Sequence, residues 1–348
     1  MKKLVLLFIM ILSFLVYAKT DYTGNFKTIK YKKEIVIKEN SQFIFVNPSE
    51  IRIDNNGDIF IMGKKQLLRF SRKGKYMGNL FKYGQGPGEL LNIESFVFYK
   101  DLVFINQFIP HKIVCYKTNG KFIKEFRAKK SMQKLLICDK EKCLMLKYEI
   151  PFDKIKNKIS NLDVKWNMYK VFFDGTFVKY NVYFLSKWVI FKGERGVGAN
   201  EIEKVRYCYY KNKYLYIATN RKYMINIFDL DSEKIIQTIK KDFVSVKIKN
   251  KKDYQKRGFV KEYYDDIQKM IVVNKQLWVF TSKVNKNRGI LIDRYSLKGK
   301  YIDSVFLKIK GIESSSDLKQ TIFTAKEKNI YVMFNNEDNM RVEKIKII

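Results

Sequence analysis

The sequence predicts an all-β fold: a six-bladed β-propeller of four-stranded antiparallel blades, with an N-terminal strand closing the last blade. Three observations carry this. A second-strand pattern of aliphatic and aromatic residues recurs as Ile59-Phe60-Ile61, Tyr214-Leu215-Tyr216-Ile217, Leu277-Trp278-Val279 and Ile330-Tyr331-Val332. A turn after the third strand recurs as Lys73-Gly74-Lys75, Asn119-Gly120-Lys121, Asp174-Gly175-Thr176 and Lys298-Gly299-Lys300. The copies return at roughly forty residues, enough for four short strands and their turns.

The chain opens with the pattern of an export signal. Lys2 and Lys3 precede an apolar run from Leu4 to Val16, and Val16-Tyr17-Ala18 forms a small-residue cleavage site. The run is shorter than the about 20 apolar residues that a spanning helix needs. Residues 1–18 therefore read as a cleaved signal peptide and 19–348 as one propeller domain, periplasmic or extracellular, with no transmembrane span.

The first blade runs from about Phe45 to Leu80, with strands at Ile51-Arg52-Ile53, Ile59 to Met62, Leu67 to Phe70 and Tyr76 to Leu80. Its first turn, Asp54-Asn55-Asn56-Gly57, uses residues that tolerate positive φ. The second blade repeats this at Phe96-Val97-Phe98, Leu102 to Ile105, Ile113 to Tyr116 and Phe122 to Phe126. In both, the second strand is apolar at successive positions, as expected of a strand covered on both faces.

The third blade starts at Leu135-Leu136-Ile137 and Leu144-Met145-Leu146, and a polar insertion is expected over residues 151–167. It resumes at Tyr169 to Phe173 and Phe177 to Tyr180. The fourth holds Arg206 to Tyr210, Tyr214 to Ala218, Ile225 to Phe228 and Ile235-Ile236. A charged insertion at 242–268 follows, where Phe259, Val260, Tyr263, Tyr264 and Ile267 recur at the spacing of a short amphipathic helix. The fifth covers Met270 to Val273, Leu277 to Phe280, Ile290 to Tyr295 and Tyr301 to Phe306.

The sixth blade has Thr321-Ile322-Phe323, Ile330 to Phe334 and Val342 to Ile347, and lacks a fourth strand. Ile29 to Ile37, at the other end, is strand-like and has no blade of its own. One missing strand and one spare strand predict that the N-terminal segment completes the sixth sheet, pairing edges that would otherwise invite aggregation.

Gly84-Gln85-Gly86-Pro87-Gly88-Glu89-Leu90 resembles the G-x-G-P-G-E-F/L linker of exported six-bladed propellers of the NHL-repeat-like type. Asp54-Asn55-Asn56-Gly57-Asp58-Ile59-Phe60-Ile61 is similar to that family's Asp-x-x-Gly-x-Ile-Tyr-Val segment. The resemblance is motif-specific over about Ile51 to Glu89; blades three and four depart from it. It implies a closed six-bladed ring and a role in binding, with no shared reaction. A phosphate-loop reading of the glycines fails because Gly-Lys-Ser/Thr and a βαβ context are both missing.

Composition narrows the chemistry. His111 is the single histidine, it stands beside Pro110, and no Gly-x-Ser-x-Gly elbow accompanies it, so no catalytic residue is assigned. Zinc needs more His or Cys ligands than Cys138 and Cys143 supply. Those two flank the turn Asp139-Lys140-Glu141-Lys142 and could face each other as a disulfide or remain thiols, while Cys115 and Cys208 read as buried thiols. No cofactor is expected beyond a possible Ca²⁺ or Mg²⁺, for which Glu50, Asp54, Glu94 and Glu203, at or near first strands, are the candidate ligands. Lys134, Lys269 and Lys319 lie at corresponding starts of other blades and would oppose such an ion.

The 69 Lys and Arg against 35 Asp and Glu give a net charge of +34. That charge fits an anionic envelope polymer, or lysines spread evenly over solvated strands and loops. The expected function is therefore an exported, non-enzymatic propeller that binds a protein, peptide or glycan, with the 151–167 and 242–268 insertions as recognition elements. The alternatives are a metal-dependent hydrolase or lactonase and a polyanion binder. No specific nucleic-acid partner is expected.

Overall fold

The computed structural model describes residues 26–127, 132–155, 159–193, 196–201, 203–211, 213–218, 222–248, 261–336 and 340–348. The segment expected to be a signal peptide and residues 249–260 of the expected second insertion lie outside them. The described strands, numbered β1 to β26 in chain order, form six sheets, one for each predicted blade, and the fold is a six-bladed β-propeller. The chain divides into two compact units.

One unit comprises Tyr31–Glu149, Lys165–Tyr183 and Gln320–Ile348. Blade one is β3 (Glu50–Ile53), β4 (Ile59–Gly63), β5 (Gln66–Phe70) and β6 (Tyr76–Asn79). Blade two is β7 (Ser95–Tyr99), β8 (Leu102–Gln107), β9 (Lys112–Lys117) and β10 (Phe122–Phe126). Blade six is β24 (Ile322–Lys326), β25 (Asn329–Phe334) and β26 (Arg341–Ile347), completed by β2 (Tyr31–Lys38). β2 pairs antiparallel with β26, from Tyr31 opposite Ile347 to Lys38 opposite Arg341, so the spare strand fills the missing position.

Neighbouring blades share apolar layers. Phe60 and Met62 of blade one meet Phe96, Val103 and Ile105 of blade two, and Ile51 and Phe70 meet Tyr331 and Met333 of blade six. Every residue of β4 is buried, the outcome expected of an unbroken apolar run covered on both faces. The recurrent turn glycines Gly74, Gly120, Gly175 and Gly299 all take positive φ, between 84° and 92°.

Blade three begins in the same unit with β11 (Lys134–Cys138) and β12 (Lys142–Glu149). Cys138 and Cys143 are directly opposite across this hairpin and form a disulfide. Cys115 is a buried thiol as expected, whereas Cys208 is only half-buried.

The polar insertion over 151–167 is not what the structure shows. A single 3-10 turn at Phe152–Lys154 is followed by β13 (Ile159–Phe172), 14 residues long, and β14 (Phe177–Gly193), 17 residues long. The polar composition of this stretch masks a strand period. Asn161, Asp163 and Lys165 alternate with Leu162, Val164 and Trp166, and the second set is the more buried, the pattern of a half-covered strand. β15 (Gly196–Glu201) adds an unforeseen fifth strand beside the end of β14.

The other unit comprises Met1–Lys30, Ile150–Val164 and Phe184–Lys319. Blade four is β16 (Arg206–Tyr210), β17 (Tyr214–Ala218), β18 (Met224–Asp229) and β19 (Lys234–Lys240). Blade five is β20 (Ile267–Val273), β21 (Gln276–Asn285), β22 (Gly289–Ser296) and β23 (Tyr301–Leu307). β1 (Thr28–Ile29) joins β23 in parallel, a contact the sequence pattern did not suggest. Tyr216, Ile225 and Ile227 pack against Ile267, Val279 and Tyr295 to form the core between these blades.

The amphipathic helix expected near 259–267 is corrected as well. Ile248 N–H donates to Glu262 O at 2.8 Å and Tyr264 N–H to Val246 O at 2.9 Å, so 246–248 and 262–264 pair as antiparallel backbone. Ile267 is already the first residue of β20. Phe259 and Val260 lie outside the described residues. A short helix, α1 (Ser315–Gln320), precedes blade six, with Asp317 capping it by accepting from Ser314 N–H at 2.9 Å.

Candidate anion site at the first strands of blades four and five

β16 and β20 are the first strands of adjacent blades and run beside each other. At their start Arg206 is held by three acceptors. Its Nε donates to Gln268 O at 2.7 Å, one terminal nitrogen to Lys204 O at 2.9 Å and the other to Asp265 Oδ2 at 2.8 Å. A register shift between Ile267 and Lys269 marks a β-bulge there, a device that re-aims side chains and carbonyls. Gln268 also donates from its side chain to Asp265 O at 2.6 Å.

Asp265 is buried and shared, for Lys261 Nζ donates to its Oδ1 at 2.6 Å. One carboxylate thus serves two cations. Lys204, Lys269 and Lys319 stand nearby, close enough for Arg206 and Lys204 to act on Lys269 and for Lys204, Lys261 and Arg206 to act on Lys319. Among the described residues, no acceptor takes a hydrogen bond from the Lys204 or Lys269 ammonium.

Electrostatics follows from this imbalance. Burial first, then Arg206, Lys204 and Lys319, push Lys269 down to about 7. Burial, then Lys204 and Lys261, push Lys319 down to about 8, with Asp265 acting in the opposite sense. Burial and Arg206 lower Lys204, against Glu201 and Asp265. Yet Lys204 and Lys319 are exposed and Lys269 is half-buried. These residues keep some contact with solvent while surrounding protein removes part of the hydration of their ammoniums.

Three of the four residues expected to hold a cation, Glu50, Asp54 and Glu94, belong to the unit of blade one, and the fourth, Glu203, directly precedes Lys204. Glu50 accepts from Arg52 Nε at 2.5 Å. Asp54 is buried; its Oδ1 accepts from Asn56 and Asp58 N–H at 2.9 and 2.8 Å, and burial raises its pKa. These two flank β3, roughly 13 Å apart by strand rise, so that strand does not bring them together. Glu94 is half-buried just before β7, its N–H on Asn106 O at 2.9 Å. Glu203 lies in the other unit, its N–H on Lys187 O at 3.2 Å. Among the described residues, no three His, Cys, Asp or Glu side chains converge as a metal group would require.

His111 is held by its loop, with Nδ1 3.2 Å from Gln107 O, and burial lowers its pKa. The glycine-rich linker spends its anion-binding capacity internally. Gly86 N–H donates to Glu89 Oε2 and Gly88 N–H to Glu125 Oε2, both at 2.9 Å. Lys112 joins Gly86 O at 3.2 Å to Glu125 at 3.0 Å, and the Tyr116 hydroxyl donates to Gly88 O. A Cβ on Gly84 would lie 2.0 Å from Glu89 Oε2, which explains the glycine without a ligand.

Lys269 and Lys319 were visible in the sequence as cations at blade starts; Lys204, Arg206 and their partner Asp265 were missed. The available signal was a basic residue near the first strand of consecutive blades.

Fold and site define a six-bladed β-propeller with a group of partly desolvated cations in one unit. Residues 21–188 match a family described as "6-bladed beta-propeller" (DUF5128). Among solved structures, the chain is similar to a member of the duf4221 family from Bacteroides vulgatus, with a TM-score of 0.56 at 10% identity over 92% of this chain and 99% of that one. It is also similar to a candidate exported protein of Bacteroides fragilis, with a TM-score of 0.52 at 14% identity over 96% and 99%. At these identities the likeness is one of fold. No curated protein matches the chain. Among the described residues, no helix is long and apolar enough to cross a membrane.

Proposed function

We propose that this chain is an exported, non-enzymatic propeller of NHL-repeat-like kinship that binds a protein, peptide or glycan through anionic groups on the ligand. The observation that carries the reading is exposed Lys204 and half-buried Lys269, both without acceptors for their ammoniums among the described residues, beside the Arg206 guanidinium, which donates to Gln268 O, Lys204 O and Asp265 Oδ2. Uncompensated positive charge attracts anionic groups. The Cys138–Cys143 disulfide supports an oxidising compartment.

Titration calorimetry of the full chain against polygalacturonate, polyglutamate and neutral dextran tests this at about 0.05 M salt, where the Debye length exceeds about 10 Å. Binding to at least one polyanion and not to dextran is expected, weakened roughly tenfold, or about 1.4 kcal/mol, by Lys269→Ala. Equal polyanion binding by wild type and Lys269→Ala would overturn the site. Failure of both polyanions to bind would overturn the function.

A further inference from the structure

We propose that Lys241 and Asp293 condense into an isopeptide bond, an amide from Lys241 Nζ to Asp293 Cγ that staples blade four to blade five. The inference is independent of the binding reading above and concerns other residues of the same unit.

Geometry comes first. Lys241 directly follows β19 and Asp293 lies in β22, with Nζ 2.9 Å from Oδ1, an atom one bond from the carboxyl carbon. Both side chains are 0% exposed. Among the described residues, no other lysine–carboxylate pair is fully sealed on both sides. Backbone contacts fix both ends. Asp293 pairs with Val279 and Ser304 inside blade five, and Lys241 N–H donates to Tyr223 O at 3.2 Å. An amine and a carboxyl group held in contact react as parts of one molecule, which removes much of the entropic barrier that two free molecules meet.

The surroundings favour the product. A buried ammonium and a buried carboxylate each lose hydration on folding, and their attraction offsets that loss only in part. Asp293 Oδ2 has no hydrogen-bond partner among the described residues, although the Tyr223 hydroxyl is near enough to act on the carboxylate. An unpartnered oxygen is an unfavourable place for buried charge. The walls are aromatic: the Tyr223 and Tyr301 rings lie 5.6 and 5.4 Å from Nζ, and buried Tyr295 places its hydroxyl 3.0 Å from that of Tyr223. Condensation replaces both charges by one neutral amide. Burial also lowers the Lys241 pKa, with Asp293 acting in the opposite sense, and so eases release of the proton that the amine must lose to become a nucleophile.

The protons have a path. Ser304 donates its hydroxyl to Asp293 Oδ1, and the Tyr301 hydroxyl lies 2.8 Å from Ser304 Oγ. Ser304 is buried and Tyr301 half-buried, so this relay leads from the pair toward the surface. The ammonium passes one proton to Oδ1, and the neutral amine attacks Cγ, which places negative charge on Oδ2. The nitrogen then gives up a second proton, which reaches Oδ1 through Ser304, and the Cγ–Oδ1 bond breaks. One C–N bond forms, one C–O bond breaks and one water leaves. Oδ2 becomes the amide oxygen, and nothing is oxidised or reduced.

The bond closes residues 241–293 into a covalent ring. The end of blade four and the third strand of blade five then stay joined even in the unfolded chain. A stability loss expected from breaking the ion pair alone becomes a lower bound once the bond is made.

Denaturing mass spectrometry of the full chain, with the Cys138–Cys143 disulfide reduced, tests the proposal. Wild type is expected about 18 Da below the mass its sequence requires from its measured N-terminus, the deficit being the water released. Lys241→Met removes the nucleophile and should show no deficit. Asp293→Asn should still condense, with ammonia as the leaving group and a deficit of about 17 Da. A proteolytic digest of wild type should contain a branched peptide joining Lys241 to Asp293.

Wild type at its full sequence mass would overturn the proposal and leave the pair as an ion pair alone. A deficit of about 18 Da that survives Lys241→Met, or that the digest places within a single linear peptide as a succinimide, would overturn it as well. The branched peptide comes from wild type, so a variant that folds poorly does not blur the outcome.

Discussion

Lys241 and Lys269 belong to the same unit and are both crowded by protein, yet they stand in opposite situations. The Lys241 side chain is 0% exposed, and its Nζ lies 2.9 Å from Asp293 Oδ1, itself 0% exposed. Tyr223 and Tyr301 place their rings 5.6 and 5.4 Å from that ammonium, and Tyr223 and Tyr295 hydroxyls lie 3.0 Å apart beside it. Ser304 donates its hydroxyl to Asp293 Oδ1. Lys269 has solvent and neighbouring cations instead. Burial alone does not mark a functional lysine. A sealed lysine with its own carboxylate pins blade four to blade five, whereas half-buried Lys269, without an acceptor among the described residues, is the one the proposed function leaves open to an anion.

The sharpest way to break this comparison is to remove one partner of the sealed pair. Lys241→Met leaves Asp293 charged and buried and is expected to lower stability by about 3–5 kcal/mol, read as the shift in urea midpoint. Adding Asp293→Leu should return part of that loss, because the second change removes the stranded charge. A single-variant loss below about 1 kcal/mol would show that Asp293 finds another partner or takes up a proton, and that the pair does not pin the blades.

A smaller effect separates the open lysine by pH. The Lys269 pKa is lowered on folding, so between about 7 and about 10.4 the unfolded chain holds a proton that the folded chain has released. Stability from this group therefore rises with pH across that window. The protonated ammonium opposes folding below about 7. Chemical denaturation at several pH values should show the rise in wild type relative to Lys269→Met. Taking the difference matters, because burial raises the Cys115 thiol to about 11 and buried thiols act in the opposite direction above about 8.5. Parallel stability curves for the two proteins would mean that Lys269 is hydrated like any surface lysine, and the proposed anion site would lose its support.

The smallest effect comes from an ion pair at the surface. Arg294 holds Asp303 by two contacts of 2.6 and 2.5 Å, but the Asp303 side chain is 42% exposed. Asp303→Asn is expected to change the melting midpoint by an amount equivalent to about 0–1 kcal/mol. A change as large as that of Lys241→Met would erase the distinction between sealed and open pairs.

The blade count, the second strands and the closure by Tyr31–Lys38 were legible because each rests on a local period or on matching a missing strand with a spare one. The β13 and β14 hairpin was hidden by its own composition: Asn161, Asp163 and Lys165 look like loop residues until their alternation with Leu162, Val164 and Trp166 is followed. The helix expected around Tyr263 and Ile267 fails for a related reason, since three- and four-residue spacing also arises in an irregular segment that pairs with 246–248. At the candidate site, Lys269 and Lys319 could be placed at blade starts, but Arg206 and Gln268 are 62 residues apart and nothing local links them.

By itself, then, the sequence determined the repeating strands, the turn glycines, the strand that completes blade six and the large positive charge, because short-range sterics and hydrophobic period set these residue by residue. The tertiary structure alone decided which charges are neutralised. Asp265 and Asp293 each settle beside one set of cations, and Lys204 and Lys269 are left without acceptors among the described residues. Coulomb energy and hydration depend on distances and on surrounding atoms, and those exist only once blades four and five are packed side by side.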